Sequence, residues 1–72
     1  MTGQRIIWVS PVAGGWAVLC AGLQPLLFRS GGRAEAQARR LAACLARLGR
    51  AAQVRILDRS QNLVGAQLYP VN

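Results

Sequence analysis

Arginine is the residue type of this chain with the clearest capacity to bind a ligand, because it is abundant and almost no negative charge opposes it. The 72 residues include nine arginines and no lysine, against only Glu35 and Asp58, and the formal net charge is +7. A guanidinium group donates paired hydrogen bonds to phosphate or carboxylate oxygens. We therefore expect the chain to attract nucleic acid or another polyanion.

Three of the arginines recur every seven residues, which places them along one line of a helix. Arg33, Arg40 and Arg47 would stand about 10.5 Å apart at the helical rise. Because this spacing is longer than one phosphate step, we expect weak, unspecific nucleic-acid binding rather than sequence readout. The predicted nucleic-acid site consists of Arg33, Arg40, Arg47, Arg39 and Arg55. The alternative is that these arginines form only a solvated helix face.

The residue types that serve acid–base catalysis and metal binding are scarce. The chain has no histidine, and its two carboxylates and its two cysteines are far apart in sequence. We predict a non-enzymatic protein with no catalytic residue, metal site or cofactor, and a lone cysteine nucleophile is the alternative left open. Cys20 and Cys44 are expected to be buried, reduced thiols. Glu35 is expected to pair with Arg39, and Asp58 to lie in a turn.

Residues 6–28 carry no charged side chain, a pattern that also occurs in membrane-spanning helices and export signals. Pro11, Pro25 and the glycine pair at 14–15 interrupt this run at short intervals. Such residues divide a chain into strands and turns rather than sustaining a long helix. We therefore expect no membrane segment, no export signal and a cytoplasmic location.

Local patterns divide the chain into two hairpins with a helix between them. We predict strands over 5–10, 16–21, 53–58 and 63–69, a helix over 33–48, and an irregular connection over 22–27. A helix between two hairpins packs most simply across one face of their sheet. The predicted fold is a single two-layer α+β domain over residues 1–72. One amphipathic helix lies on a four-stranded, mainly antiparallel sheet in the order β-β-α-β-β.

The predicted helix has an apolar stripe that must lie on the sheet. Ser30 is placed to cap its first turn, and Gly49 to adopt the left-handed conformation that ends many helices. At 100° per residue the stripe consists of Ala34, Ala38, Leu41, Leu45 and Leu48. The helical arginines lie beside this stripe or on the far side of the helix.

Four segments carry a distinctive combination of residues: Val9-Ser10-Pro11, Gly14-Gly15-Trp16-Ala17-Val18, Arg33-Ala34-Glu35-Ala36 and Val54-Arg55-Ile56. This combination resembles a small bacterial domain family of unknown function, whose pattern is V-V-P, G-W-x-V, a helix with K-x-E-A, and a final strand with a D-G turn. The resemblance covers about residues 7–64. It implies the β-β-α-β-β layout and no activity, ligand or catalytic residue. Leu57 and Ser60-Gln61 replace the family's His and D-G turn, so a longer last hairpin is expected.

Side-chain alternation along the predicted strands sends a second set of apolar residues away from the helix. This helix-free face holds Ile6, Trp8, Ala17, Leu19, Arg55 and Leu57. Leu19, Cys20 and Ala21 also stand where the resembled family has charged residues. A contiguous apolar surface of this kind usually marks an interface.

Two hypotheses compete for the helix-free face. As a nucleic-acid surface, Trp8 would stack on bases while Arg55 contacts phosphate. As a homodimer interface, the face would supply buried area that a chain of this length lacks. The predicted interface residues are Trp8, Leu19, Leu57 and Ile6. The hypotheses are compatible, because such a dimer turns both arginine-lined helices outward. Trp16 is expected in the core beneath the helix.

Overall fold

The structure is a computed structural model that describes residues 4–71. Over these residues the chain forms, in order, β1 (Arg5–Val12), β2 (Gly15–Cys20), β3 (Leu26–Phe28), α1 (Gly31–Arg47), β4 (Ala52–Leu57) and β5 (Leu63–Tyr69). The strands form one sheet in the order β3-β2-β1-β4-β5, and α1 packs on one face of it. The fold is therefore α+β with two layers, as predicted.

The sheet has five strands over the described residues and is mixed, so the prediction of four mainly antiparallel strands needs correction. β1 and β4 pair in parallel, while the other three pairings are antiparallel. The missed strand is β3, which pairs with β2 at Trp16↔Phe28 and Val18↔Leu26. It has only three residues and closely follows Pro25, so it shows too little alternation to be recognised in sequence. With β3 included, α1 connects two strands of the same direction, β3 and β4.

Pro11 does not end β1, contrary to the prediction. β1 continues to Val12, and Pro11 lies opposite Trp16 of β2. The parallel ladder with β4 reaches only to Val9↔Ile56. Beyond Val9, β1 therefore has a neighbour on one side only, and a residue without an N–H group is tolerated there.

The ends of α1 are fixed by the residues that the sequence indicated. The Ser30 hydroxyl accepts a hydrogen bond from the backbone N–H of Arg33 at 3.1 Å. The chain leaves the helix through Gly49, whose φ of 88° is in the left-handed region that favours glycine. The helix begins at Gly31, two residues before the predicted start, because Ser30 caps it directly.

Alanine forms the contact between α1 and the sheet. The buried helix residues are Ala34, Ala38, Ala42 and Ala46. Leu41 and Leu45 of the predicted stripe pack at its side, partly buried. Leu48 is 73% exposed because it follows the last helical residue, so its place in the stripe was wrong. Small side chains let a helix approach a sheet closely, and this selects alanine over leucine along the line of contact.

The core between the two layers is small. Its largest fully buried side chains are Ile7, Val9 and Val54. Aromatic side chains close its margins, and Trp16 lies beneath the first turn of α1, where a Cβ on Gly31 would be 3.1 Å from the indole Cε2. The guanidinium carbon of Arg59 lies 5.5 Å from the centre of the Trp16 ring. Trp16 thus packs beneath the helix as predicted, but it is only partly buried, at the margin of the core rather than within it.

The connection between β4 and β5 is organised by Asp58. Its Oδ1 accepts hydrogen bonds from the backbone N–H groups of Ser60 at 2.8 Å and Asn62 at 3.0 Å. These bonds, led by that from Asn62, hold the pKa of Asp58 below its usual value, against a smaller opposing effect of desolvation. Asp58 is therefore a turn residue, as predicted.

Within residues 4–71, no helix has both the length and the apolar character needed to cross a membrane. The uncharged run over residues 6–28 instead forms most of β1 and all of β2 and β3. These strands bury alternate side chains against α1, as the burial of Ile7, Val9, Val18 and Cys20 shows.

We expect Gly15→Ala to lower the free energy of unfolding by about 1–3 kcal/mol, the usual cost of overpacking a fixed site. A Cβ at Gly15 would overlap the backbone carbonyl oxygen of Phe28, and β3 cannot retreat without losing its pairing with β2. Gly32→Ala is the matched control, because its Cβ would meet nothing within 4 Å. That change should be neutral or stabilising by up to about 1 kcal/mol. Urea denaturation measures both variants, and an unimpaired Gly15→Ala protein would contradict the close approach.

Candidate interaction surfaces

The sheet face away from α1, here called the open face, receives side chains from all five strands. Strand register places on it Ile6, Trp8, Ser10, Ala17, Leu19, Leu27, Gln53, Arg55, Leu57, Leu63, Ala66 and Leu68. The structure thus brings together the four predicted interface residues. Among the described residues that share this face, Arg55 alone is charged. The open face is therefore broad and predominantly apolar.

Trp8 and Arg55 form the centre of the open face. Trp8 lies opposite Leu19 on β2 and Arg55 on β4. The guanidinium carbon of Arg55 is 5.2 Å from the centre of the Trp8 ring, a cation–π distance. Arg55 Nε also donates a hydrogen bond to Gln53 Oε1 at 2.7 Å. The one cation of this face therefore lies against the sheet surface with its charge partly satisfied.

This geometry bears on the hypothesis that Trp8 and Arg55 bind nucleic acid. The Arg55 guanidinium lies over the ring that a base would need, and its Nε bond to Gln53 directs part of the group away from an incoming phosphate. A base could stack on that side of Trp8 only after Arg55 moved. The arrangement favours an apolar contact across the open face over base stacking on Trp8.

The outer strands leave three leucines of the open face largely in solvent. Leu27 is 73% exposed, Leu63 56% and Leu68 51%. Ala17, by contrast, is buried beneath its neighbours, so it contributes little to the surface that the sequence assigned to it. Beside Trp8 an open groove of about 480 Å³ runs toward the β2–β3 connection, with apolar lining from Ile6, Leu19, Leu23 and Pro25. Gln4 and Arg5 also line the groove, and Arg5 Nη1 donates a hydrogen bond to the backbone carbonyl oxygen of Ala21 at 2.8 Å.

The sequence did not single out Leu27, Leu63 or Leu68 as surface residues. Leu27 belongs to the strand that was missed. In β5 the pairing with β4 shifts between Ile56 and Leu57. Leu63 and Leu68 therefore lie on the same face, although their sequence positions differ by an odd number and regular alternation would place them on opposite faces. A strict period of two cannot detect such an irregularity. The available signal was the uncharged character of residues 63–69.

The helix layer carries most of the positive charge. Arg33, Arg39, Arg40 and Arg47 of α1 are all exposed, as are the flanking Arg29 and Arg50. Arg39 Nη2 lies 3.3 Å from Glu35 Oε1 and forms the predicted ion pair. The structure does not bring Arg55 together with the other four predicted nucleic-acid residues. Alternation along β4 places Arg55 on the open face, on the opposite side of the sheet from α1.

Two of the predicted arginines share a cleft between α1 and the end of β3, here called the edge cleft. It has a volume of about 300 Å³ and is lined by Phe28, Arg33, Ala36, Gln37 and Arg40. Arg47 lies two helical turns beyond Arg40. The sequence indicated the arginines but not Phe28 beside them, because β3 was missed.

The cysteine and acidic side chains of the described residues do not form one cluster. Cys20 is buried, but Cys44 is exposed, because it lies on α1 away from the buried alanines; the prediction that both are buried was wrong for Cys44. Residues 4–71 contain no group of three or more histidine, cysteine or acidic side chains positioned to hold a metal ion. Glu35 pairs with Arg39, and Asp58 caps its turn.

Comparison of the chain with models of protein families, with curated proteins and with solved structures finds no match. The resemblance to the bacterial domain family stays a prediction. The two surfaces of the molecule, an apolar open face and an arginine-rich helix layer, are the basis for a functional proposal.

Proposed function

We propose that the protein is a small non-enzymatic binding module that forms a two-fold homodimer through its open face. The division of charge between the two layers carries this proposal. The described part of the open face has one charged residue, Arg55, which lies against Trp8, whereas six exposed arginines belong to α1 and its flanks. Both described cysteines are free thiols, which fits a reducing cytoplasmic location.

The dimensions of the open face suit a dimer. Five strands spaced about 4.8 Å apart give a sheet roughly 24 Å wide, and six-residue strands are about 20 Å long. Two such faces in contact bury roughly 1,000 Å² before side-chain relief is included, which reaches the lower bound for specific interfaces. Burial would also cover the exposed leucines Leu27, Leu63 and Leu68, and would add apolar contacts to a molecule whose own core is small.

The charge of +7 does not oppose this arrangement strongly. Two sheets packed face to face are about 10 Å apart, and each helix adds a further layer on the outside. The arginines of the two helices would therefore be separated by roughly 30 Å, several times the screening length of about 8 Å in physiological salt. At the interface, the Arg55 guanidinium is already stacked on Trp8 of its own chain when the second copy contacts it. Edge-to-edge association of β5 is the main alternative geometry.

We expect Leu19→Lys to convert the dimer into a folded monomer, because it adds a second charge beside Trp8, on the opposite side of β1 from Arg55 and without the Gln53 bond that Arg55 has. Leu48→Lys is the matched control, since Leu48 is exposed at the end of α1 and outside the open face. Sedimentation velocity at micromolar concentration measures the association state, and circular dichroism checks that the variants fold.

Three outcomes of that experiment are informative. Monomeric Leu19→Lys with dimeric Leu48→Lys supports the open face as the interface. A dimeric Leu19→Lys protein means that copies associate elsewhere, for example through β5. A native chain that sediments as a monomer at micromolar concentration contradicts the homodimer.

A second candidate function, weak polyanion binding by the helix layer, rests on the unpaired arginines of that layer. Of the described residues with a carboxylate, Glu35 pairs with Arg39 and Asp58 is engaged by its own turn. Arg33, Arg40 and Arg47 thus face solvent without an acidic partner among residues 4–71. On binding a polyanion, these arginines would displace the cations condensed on its phosphates, and the release of those cations favours binding. Nucleic acid is the polyanion that we propose.

We expect fluorescence anisotropy at low salt to detect binding with a log–log salt slope of about −2 to −4, as for a few neutralised phosphates. Replacing Arg33, Arg40 and Arg47 together by Gln should reduce the magnitude of this slope and the affinity. The triple Lys variant, which keeps the charge, should retain most of the slope. Binding that survives the Gln triple would exclude this line of arginines as the site.

A further inference from the structure

The edge cleft has a composition that differs from a general basic surface. Two guanidinium groups, an aromatic ring and a side-chain amide line one opening of about 300 Å³, namely those of Arg33, Arg40, Phe28 and Gln37. These are the groups that contact the phosphates, the face and the edge of a nucleotide in single-stranded nucleic acid. The small side chain of Ala36 leaves the cleft open between them.

The geometry of α1 points the three polar side chains to the same side. Gln37 follows Arg33 by four residues and precedes Arg40 by three, so all three project from adjacent helical turns. The roots of the two arginines are about 10.5 Å apart, and long flexible side chains can converge from that distance on the phosphates flanking one nucleoside. Gln37 lies between them along the helix and lines the same cleft.

Phe28 supplies the aromatic wall of the cleft. It is the last residue of β3, pairs with Trp16 and packs partly against the core, so its position is fixed by the sheet rather than by a loop. Phe28 is half-buried and lines the cleft. A fixed aromatic surface of this kind can stack on any base, because every base has a π face.

The edge of the sheet also gives a strand room to enter and leave. Among residues 4–71, β3 is the outermost strand on its side, so no other described strand closes the cleft laterally. Arg29 precedes the start of α1 and Arg47 lies two turns beyond Arg40, which extends a line of exposed cations past both ends of the cleft. This line can follow the backbone of a strand over a few nucleotides.

We propose that the edge cleft binds one unpaired nucleotide of a single-stranded nucleic acid, with its base against Phe28 and Gln37 and its phosphates at Arg33 and Arg40. The inference rests on the proposed polyanion binding and adds to it a preference for single strands. A duplex keeps its bases stacked and paired, so it can offer only phosphates to the same arginines. The preference, rather than binding itself, distinguishes the cleft from a charged surface.

The test compares a labelled oligothymidine of about 12 nucleotides with a labelled duplex of the same length, within the range of single-strand site sizes. Fluorescence anisotropy on the full chain measures both affinities. The native chain should bind the single strand at least about fivefold more tightly than the duplex, the lower end of what one stacked base contributes. Phe28→Leu, which keeps an apolar side chain in the core, should remove this preference and leave duplex affinity unchanged.

Two further variants separate the cleft from general charge. Arg33→Gln with Arg40→Gln should lower single-strand affinity more than duplex affinity, whereas Arg47→Gln with Arg50→Gln removes the same charge outside the cleft and should lower both equally. Gln37→Ala tests the cleft without touching the core, in case Phe28→Leu fails to fold by circular dichroism. Gln37→Ala should also reduce the preference for the single strand over the duplex.

The outcomes distinguish this inference from the polyanion proposal. Equal affinity of the native chain for single strand and duplex overturns the cleft and leaves polyanion binding standing. If Phe28→Leu and Gln37→Ala both keep the preference for the single strand, the edge cleft is not the source of that preference. Absence of binding to either probe at low salt overturns both proposals.

Discussion

The organisation of this molecule depends on one constraint: a single helix can cover only one face of a sheet. Helix α1 lies over the central strands through its alanines, and a helix about 10 Å wide cannot shield a sheet of roughly 24 Å. Partly buried Trp16, Phe28 and Tyr69 fill the margins of the covered face. The other face has no second layer within residues 4–71, although two-layer packing normally places a sheet's apolar face against another element.

The same constraint explains how the charges are distributed. The helix is the only described element whose outer side is free of the sheet, so its solvent face can hold many arginines without burying any of them. The open face must instead stay nearly uncharged if it is to be covered. Arg55 is the one charged residue described on the open face, and its stacking on Trp8 and its bond to Gln53 allow that charge to be covered. The two candidate functions thus belong to opposite sides of one molecule and do not compete for the same residues.

Local signals in the sequence were sufficient for the elements that local chemistry determines. Ser30 caps α1, Asp58 makes its turn, and alternation assigned the faces of β1, β2 and β4, because each depends on neighbouring residues. Strand order and direction depend on contacts distant in sequence, so neither the parallel pairing of β1 with β4 nor the three-residue β3 was predicted. Helical periodicity placed Leu48 in the apolar stripe, but α1 ends at Arg47, one residue before it.

The surfaces show the same difference between features that depend on neighbouring residues and features that depend on contacts distant in sequence. The sequence located the apolar centre around Trp8 and the arginines of α1, since both follow from helical and strand periodicity. Alternation also assigned Arg55 to the helix-free face, although the predicted nucleic-acid site grouped it by charge with the arginines of the helix layer. The sequence did not indicate Phe28, which only the pairing of β3 with β2 brings to the arginines.

Trp8 lies at the centre of the open face, so its fluorescence tests most directly whether a second copy covers that face. The chain has two tryptophans, and Trp16→Phe leaves Trp8 as the only one while preserving an aromatic ring beneath α1. In this variant, Trp8 emission should shift to shorter wavelength and become less accessible to acrylamide as concentration rises through the dimer transition. Emission and quenching that stay constant in the folded protein, from nanomolar to high micromolar concentration, would contradict the account.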